Sequence, residues 1–380
     1  MSDYVRQLPR QGAPDMRRGP GLAMQLHVDV PLLFLLVALT IYGLFALYSA
    51  SGQSVDAVIR QGRYFVLAYA IMFIAAQISL QRYARWALWL YLAGVALLVA
   101  VMLVGVGAKG AQRWLQIGGF RFQPAEIMKV ALPLVVAWYL AERPLPPRFG
   151  DVIGALCLIA VPAALILQQP DLGTALLIAA SGMFVLFLAG IGWRYIVGAL
   201  ALAIASVWPA WSFVLKDYQR QRILTMLNPE SDKLGAGWNI MQSKTAIGSG
   251  GWDGKGWMQG TQSQLDFLPE SHTDFIIAVL AEEFGLRGVL LLMGIYLLIL
   301  LRGFWIGMRA QSSFGRMMAG SITLTFFVYI FVNMGMVAGL LPVVGVPLPL
   351  VSAGGTSVVT LMAGFGILMA IGTERRLVSR

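Results

Sequence analysis

The 380-residue sequence is poor in the groups that most enzymes use for nucleophilic or metal chemistry. Its single cysteine, Cys157, lies in an apolar run, which excludes an internal disulfide and a cysteine zinc site. Two histidines, His27 and His272, are too few for an imidazole metal cluster. No G-x-S-x-G nucleophile motif occurs, so a Ser-His-Asp hydrolase is unsupported. Charge is scarce as well. Charged residues make up 12% of the chain and hydrophobic ones 58%, against roughly 25% charged in an average soluble domain. Such a chain uses lipid as part of its solvent. No period of 20–50 residues repeats, and no inverted symmetry relates the two halves.

The formal net charge is +10. Nucleic acid is one reading of that excess, but the basic residues sit in short interhelical loops and not on one clustered face. Anionic lipid headgroups are the better partner, and no nucleic acid is expected. Residues 1–27, with Arg6, Arg10, Arg17 and Arg18, read as a disordered tail. The apolar segment that follows is long enough to span and lacks a small-residue cleavage site, so it should stay as an anchor. The membrane domain should occupy 28–376, with 377–380 as a second tail.

A hydrocarbon core needs roughly 20 apolar helical residues. On that basis the chain is an all-α polytopic membrane protein with about ten spans, near 30–49, 63–80, 86–106, 123–141, 151–168, 172–191, 194–213, 275–301, 316–341 and 350–372. One long extracytoplasmic loop, 214–274, separates the seventh and eighth. The short-loop cations Arg82, Arg85, Arg143, Arg148, Arg194, Arg302, Arg309 and Arg316 fall on one side together with both tails, which makes that side cytoplasmic. The opposite side also carries cations, including Arg60, Lys109, Arg113, Arg121, Lys216, Arg220, Arg222, Lys233, Lys244 and Lys255. Positive charge kept there fits an anionic ligand.

Charges close to hydrocarbon are functional candidates. In Gln123-Pro124-Ala125-Glu126-Ile127-Met128-Lys129 the proline suits a helix start, and Glu126 and Lys129 share a face at i,i+3. They read either as a neutralised ion pair or as part of a site. At about 100° per residue, Ala278, Ala281, Gly285 and Gly288 follow the direction of Asp274. This stripe of small side chains predicts a ligand groove or a close helix contact. Glu283 and Arg287, at i,i+4, should neutralise each other. Gly248-Ser249-Gly250-Gly251 resembles a phosphate-cradling turn but lacks the Gly-Lys-Ser/Thr ending of a P-loop, so a flexible hairpin and no nucleotide are expected. Gln169-Pro170-Asp171-Leu172-Gly173 and Pro342 to Gly355 read as a tight hairpin and a broken connection, both plain helix punctuation.

Several of these stretches, taken in order, resemble one family. They are Gly110-Ala111-Gln112-Arg113-Trp114, the Gln123 to Lys129 run, Gln169 to Gly173, Asp217-Tyr218-Gln219-Arg220-Gln221-Arg222, Gly235-Ala236-Gly237, Gln242-Ser243 and Gly248 to Gly251. Leu268-Pro269-Glu270-Ser271-His272-Thr273-Asp274-Phe275 and Pro347-Leu348-Pro349-Leu350-Val351-Ser352-Ala353-Gly354-Gly355 complete the set. Together they resemble the SEDS proteins (shape, elongation, division, sporulation) of bacterial cell-wall synthesis, over residues 28 to 376. The rod-shape and elongation members are closer than the division members. Asp266 stands where the family commonly has Glu.

The resemblance implies a peptidoglycan glycosyltransferase that polymerises lipid II at the outer face of the inner membrane and releases undecaprenyl pyrophosphate. It implies Asp274 as the catalytic carboxylate and a class B penicillin-binding protein, a transpeptidase, as partner within the elongation complex. Around Asp274, the candidates for holding substrate and pyrophosphate are Arg113, Glu126, Lys129, Arg220, Arg222, Glu270 and His272, with Mg2+ or Mn2+ as a candidate ion on Asp274 and no zinc. A flippase for the same lipid and a recruiting scaffold are the alternative readings.

Overall fold

A computed structural model of the chain describes residues 26–108, 111–117, 120–232, 235–265, 267–268 and 270–374. The two expected tails therefore lie almost wholly outside the described residues, as do Lys109, Gly110, Lys233, Asp266 and Pro269. Among the described residues, nine helical spans are at least 18 residues long and apolar enough to cross a membrane, one of them, Trp193–Phe213, counted with the π-helical turn that continues its α-helix, and a tenth apolar helix has 17 residues. In order these are α1 (Val30–Ala50), α2 (Val55–Ala76), α3 (Leu80–Val104), α4 (Pro124–Ala141), α5 (Phe149–Gln168), α6 (Leu172–Leu188), α7 (Trp193–Pro209), α11 (Ile276–Arg309), α12 (Ser313–Val337) and α13 (Thr356–Thr373). The polar interval between α7 and α11 carries α8 (Asp217–Leu227), α9 (Ala236–Gly250) and the short α10 (Thr261–Gln264).

The helix ends follow from local chemistry. Asp29 caps α1 by accepting from Leu32 N at 3.0 Å, and it also receives Arg302 of α11 through two hydrogen bonds of 3.0 and 2.6 Å. That pair joins the first span to the eighth. Ser54 caps α2 through Ala57 N at 3.3 Å, so this helix begins eight residues before the expected span, among polar residues that composition alone assigns to a loop. Ser312 caps α12 and Asp171 caps α6 in the same way. The proline-rich stretch before α13 holds off regular helix until Thr356.

Helix α4 is the hub of the bundle. It packs against α3, α5, α6, α12 and α13, and its sequence is apolar nearly all round, as a helix surrounded by others requires. Helix α7 is the opposite case, with no buried residue. Between α3 and α4 the chain forms a small antiparallel sheet, β1 (Val106–Ala108), β2 (Ala111–Ile117) and β3 (Phe120–Phe122), in the order β1-β2-β3. No strand was expected from the sequence there.

The small-residue stripe on α11 has a different use from a groove. At Gly285 the backbone turns left-handed (φ 62) and the helix is interrupted. Residues 251–256 lie along the break, with Lys255 N and Gly256 N donating to Glu282 O and Glu283 O at 2.9 and 3.0 Å, and Leu286 N donating to Gly251 O at 3.0 Å. A Cβ on Gly250, Gly254 or Gly285 would strike backbone atoms of the facing segment. The expected flexible hairpin at 248–251 is thus the packed end of α9. The break also separates the expected Glu283–Arg287 pair. Arg287 pairs instead with Asp253, and Glu283 accepts from Ser49 of α1.

Candidate active site

Four helix starts and the small sheet converge at one end of the bundle on a cavity of about 300 Å³. Arg113 comes from β2, and Glu126 and Lys129 from the first turns of α4. Asp171 caps α6, while Thr273 and Asp274 stand in the turn that leads into α11. Tyr329 of α12 and the 345–357 segment close the far wall. Arg113, Glu126, Lys129 and Asp274, expected from the sequence to work together, therefore line one space.

The other four expected residues do not line it. Arg220 and Arg222 lie on α8, where Arg220 donates to Ser212 O at 3.1 Å and faces Asp217 at 3.8 Å. Glu270 receives the Thr273 hydroxyl at 2.8 Å, and His272 accepts Ala353 N on its carbonyl at 3.0 Å. These two brace the turn that carries Asp274.

The cavity charges are arranged in pairs. Lys129 Nζ donates to Glu126 Oε1 at 2.6 Å, and Glu126 Oε2 accepts from Thr360 of α13 at 2.8 Å. The ammonium also sits 5.0 Å from the centre of the Tyr329 ring, a cation–π contact. Arg113 donates to Pro170 O at 2.6 Å and lies 3.6 Å from Asp171 Oδ2. Gln123 reaches the same carboxylate oxygen at 3.3 Å. Both cations are thereby fixed in place. An ammonium has three donors and a guanidinium five, so each keeps donors for a phosphate oxygen. The sequence had assigned 169–173 to punctuation; in the structure Asp171 is also the group that holds Arg113 at the wall.

Asp274 is half-buried, with the backbone of Gly345 beside its carboxylate. Its carbonyl accepts from Asn333 Nδ2 at 2.8 Å, and the same amide donates to Val346 O at 2.8 Å. One buried amide therefore ties the Asp274 turn to the 342–355 connection. Sequence reasoning passed over Asn333, although a carboxamide inside an apolar span is a signal of its own. The connection is held further by Tyr296, which donates to Pro349 O at 2.8 Å, and by Leu348 N, which donates to Ser352 at 2.8 Å. Leu350 is kept there at φ 60, a left-handed conformation that costs a non-glycine residue on the order of 1–3 kcal/mol.

The arrangement places the Asp274 carboxylate in the same small cavity as two restrained cations, Arg113 and Lys129. That pattern suits abstraction of a proton from a hydroxyl while negative charge develops on a phosphate leaving group.

Known proteins carry the same architecture. A model of the FtsW, RodA and SpoVE family, described as cell cycle proteins, matches residues 30–377. The peptidoglycan glycosyltransferase MrdB of Escherichia coli K12 is 53% identical over 356 residues, covering 94% of this chain and 96% of that protein. A chain solved in a study of how a peptidoglycan synthase complex coordinates polymerization and crosslinking superposes with a TM-score of 0.80 at 32% identity, covering 90% of this chain and 97% of that one. An aspartate-to-alanine mutant of the rod shape determining protein RodA of Thermus thermophilus gives 0.69 at 29% identity, over 90% and 97% of the two chains. This chain belongs to the FtsW, RodA and SpoVE family, the SEDS proteins whose motifs its sequence carries.

Proposed function

We propose that this chain, a peptidoglycan glycosyltransferase and multi-pass protein of the bacterial inner membrane, uses Asp274 as general base in the polymerisation of lipid II. The observation that carries this reading is the cavity itself, which brings Asp274 together with Arg113, Glu126 and Lys129. Asp274 accepts the proton of the acceptor's 4-hydroxyl. The freed oxygen attacks the anomeric carbon of the donor on the face opposite its pyrophosphate, and the bond to undecaprenyl pyrophosphate breaks. A single displacement turns an α-linked donor into a β-1,4 linkage, so one base suffices. Lys129 and Arg113 take up charge on the departing pyrophosphate, while Glu126 and Asp171 hold them in position.

Among the described residues no group of three His, Cys, Asp or Glu side chains could hold a metal. A hard divalent ion binds through one or two carboxylates plus phosphate oxygens and keeps its other waters. Mg2+ or Mn2+ would therefore be held chiefly by the pyrophosphate oxygens, apart from Asp274 in its role as base on the opposite face, and would supply charge neutralisation on the leaving group. Full polymerisation in chelator would remove the ion from this account.

The cavity is built from helix starts and loops at one end of the bundle, which supports an enzyme facing one compartment over a transporter with a midplane site. The short-loop cations make that compartment the periplasm, with both termini cytoplasmic. The partner is a class B penicillin-binding protein within the elongation complex, whose transpeptidase crosslinks the strands. The test is to give lipid II to the purified protein with that partner in detergent, where no second compartment exists. Glycan ladders are expected; none, with divalent metal present, would return the flippase and scaffold readings.

A further inference from the structure

At the end of α3 remote from the candidate active site, a second cavity of about 520 Å³ opens between α3, the last turn of α4 and the first turn of α12. Helix α3 has 25 residues, so this cavity lies roughly 35 Å along its axis from the sheet that carries Arg113. Arg85 and Glu142 line it together with Leu88, Trp89, Trp138 and Phe314. The volume is within the range of about 300–1,000 Å³ typical of small-molecule sites.

Several charges at this end of the bundle are paired. Asp29 is held by Arg302 at 2.6 Å, Arg143 by Asp151 at 2.8 Å, and Arg82 donates to Ser79 at 3.2 Å. Arg85 and Glu142 are the two charged residues that line this cavity; among the described residues neither has such a partner, and they do not bond each other although they share the space. The cavity thus offers a cation and an anion, held apart above an apolar floor that includes two tryptophans. Tryptophan favours the boundary between headgroup and hydrocarbon.

We infer that this cavity binds a zwitterionic phospholipid bearing a primary amine, a phosphatidylethanolamine, with its phosphate at Arg85, its ammonium at Glu142 and the start of its acyl chains along Leu88, Trp89 and Trp138. Each alternative headgroup leaves one wall unanswered. An anionic glycerol headgroup puts no cation at Glu142, and a choline headgroup has no N–H to donate to it. The site goes beyond the polymerisation reaction and shares no residue with it.

The test is native mass spectrometry of the full-length protein, delipidated in detergent and titrated separately with phosphatidylethanolamine, phosphatidylglycerol and phosphatidylcholine. The wild type should retain the ethanolamine lipid best. Glu142→Gln should lower its retention roughly three- to fivefold, to the level of the glycerol lipid, and Arg85→Gln should lower retention of all three. Both positions are exposed, so both variants should fold and polymerise lipid II at the wild-type rate. Brominated phosphatidylethanolamine should quench tryptophan fluorescence, and Trp89→Phe should reduce that quenching. Equal retention of the three lipids by the wild type, preference for the glycerol lipid, or unchanged retention in both variants would overturn the assignment.

Discussion

Glu126 and Lys129 form a buried ion pair at the wall of the candidate active site. The sequence left them open between neutralising each other and forming part of a site, and the structure shows them doing the first while lining the cavity of the second. Removing one partner of a buried pair leaves the other charge uncompensated, at a cost of about 3–5 kcal/mol. Lys129→Met alone should therefore lower both thermal stability and polymerisation. The double variant Lys129→Met with Glu126→Gln should recover most of the stability and none of the activity, read by thermal melting in detergent and by glycan ladders. Recovery of both would make the pair structural only. Asn333 has the complementary role, since it touches the backbone on both sides of the cavity and not the lining side chains. Asn333→Leu should leave the Asp274 turn without its clamp and lower turnover more than lipid II affinity, a split measurable as kcat against KM.

At the scale of elements, the spans were legible because hydrocarbon thickness imposes their length. Their ends were less so. A cap such as Ser54 lets polar residues continue α2 beyond its apolar stretch, and a hydropathy scan has no sight of caps. The stripe Ala278, Ala281, Gly285 and Gly288 was visible as a pattern, yet whether small residues admit a ligand or a neighbouring backbone is decided by what folds against them. Here that is residues 250–256. The helix-phase argument for Glu283 and Arg287 failed for a related reason, because one left-handed residue at Gly285 resets the phase. Helices α8 and α9 were hidden in a polar interval because their packing, α9 against α11 and α12, comes from contacts distant in sequence. Gly285→Ala should strain the break by roughly 1–3 kcal/mol. Hydrogen exchange should then rise across 251–262, with the other spans unaffected; uniform protection would show that the break tolerates a side chain.

For the whole molecule, one end gathers the candidate active site and the long interval 214–274, while the other carries the paired arginines and the second cavity. The interval is anchored unevenly. Buried Glu282 accepts from Lys255 at 2.7 Å, Thr261 at 3.1 Å and Gln262 N at 3.1 Å, so 255–262 is fastened to α11. In helix α8 most of the described side chains are exposed or half-buried. Limited proteolysis should cut first around α8 and later in 236–262, and binding of the transpeptidase partner should slow the first cut if it acts on the cavity through this interval. The same rate with and without partner would exclude that route.

Whether Asp274 takes the proton in glycosyl transfer is decided by comparing wild-type and Asp274→Asn proteins, each purified with its transpeptidase partner and matched for folding, for polymerisation of lipid II. General acid–base groups contribute roughly 10²–10⁴-fold, so the account predicts glycan ladders from the wild type and a loss of that order from the variant, with lipid II still bound. Equal ladders from both would contradict it.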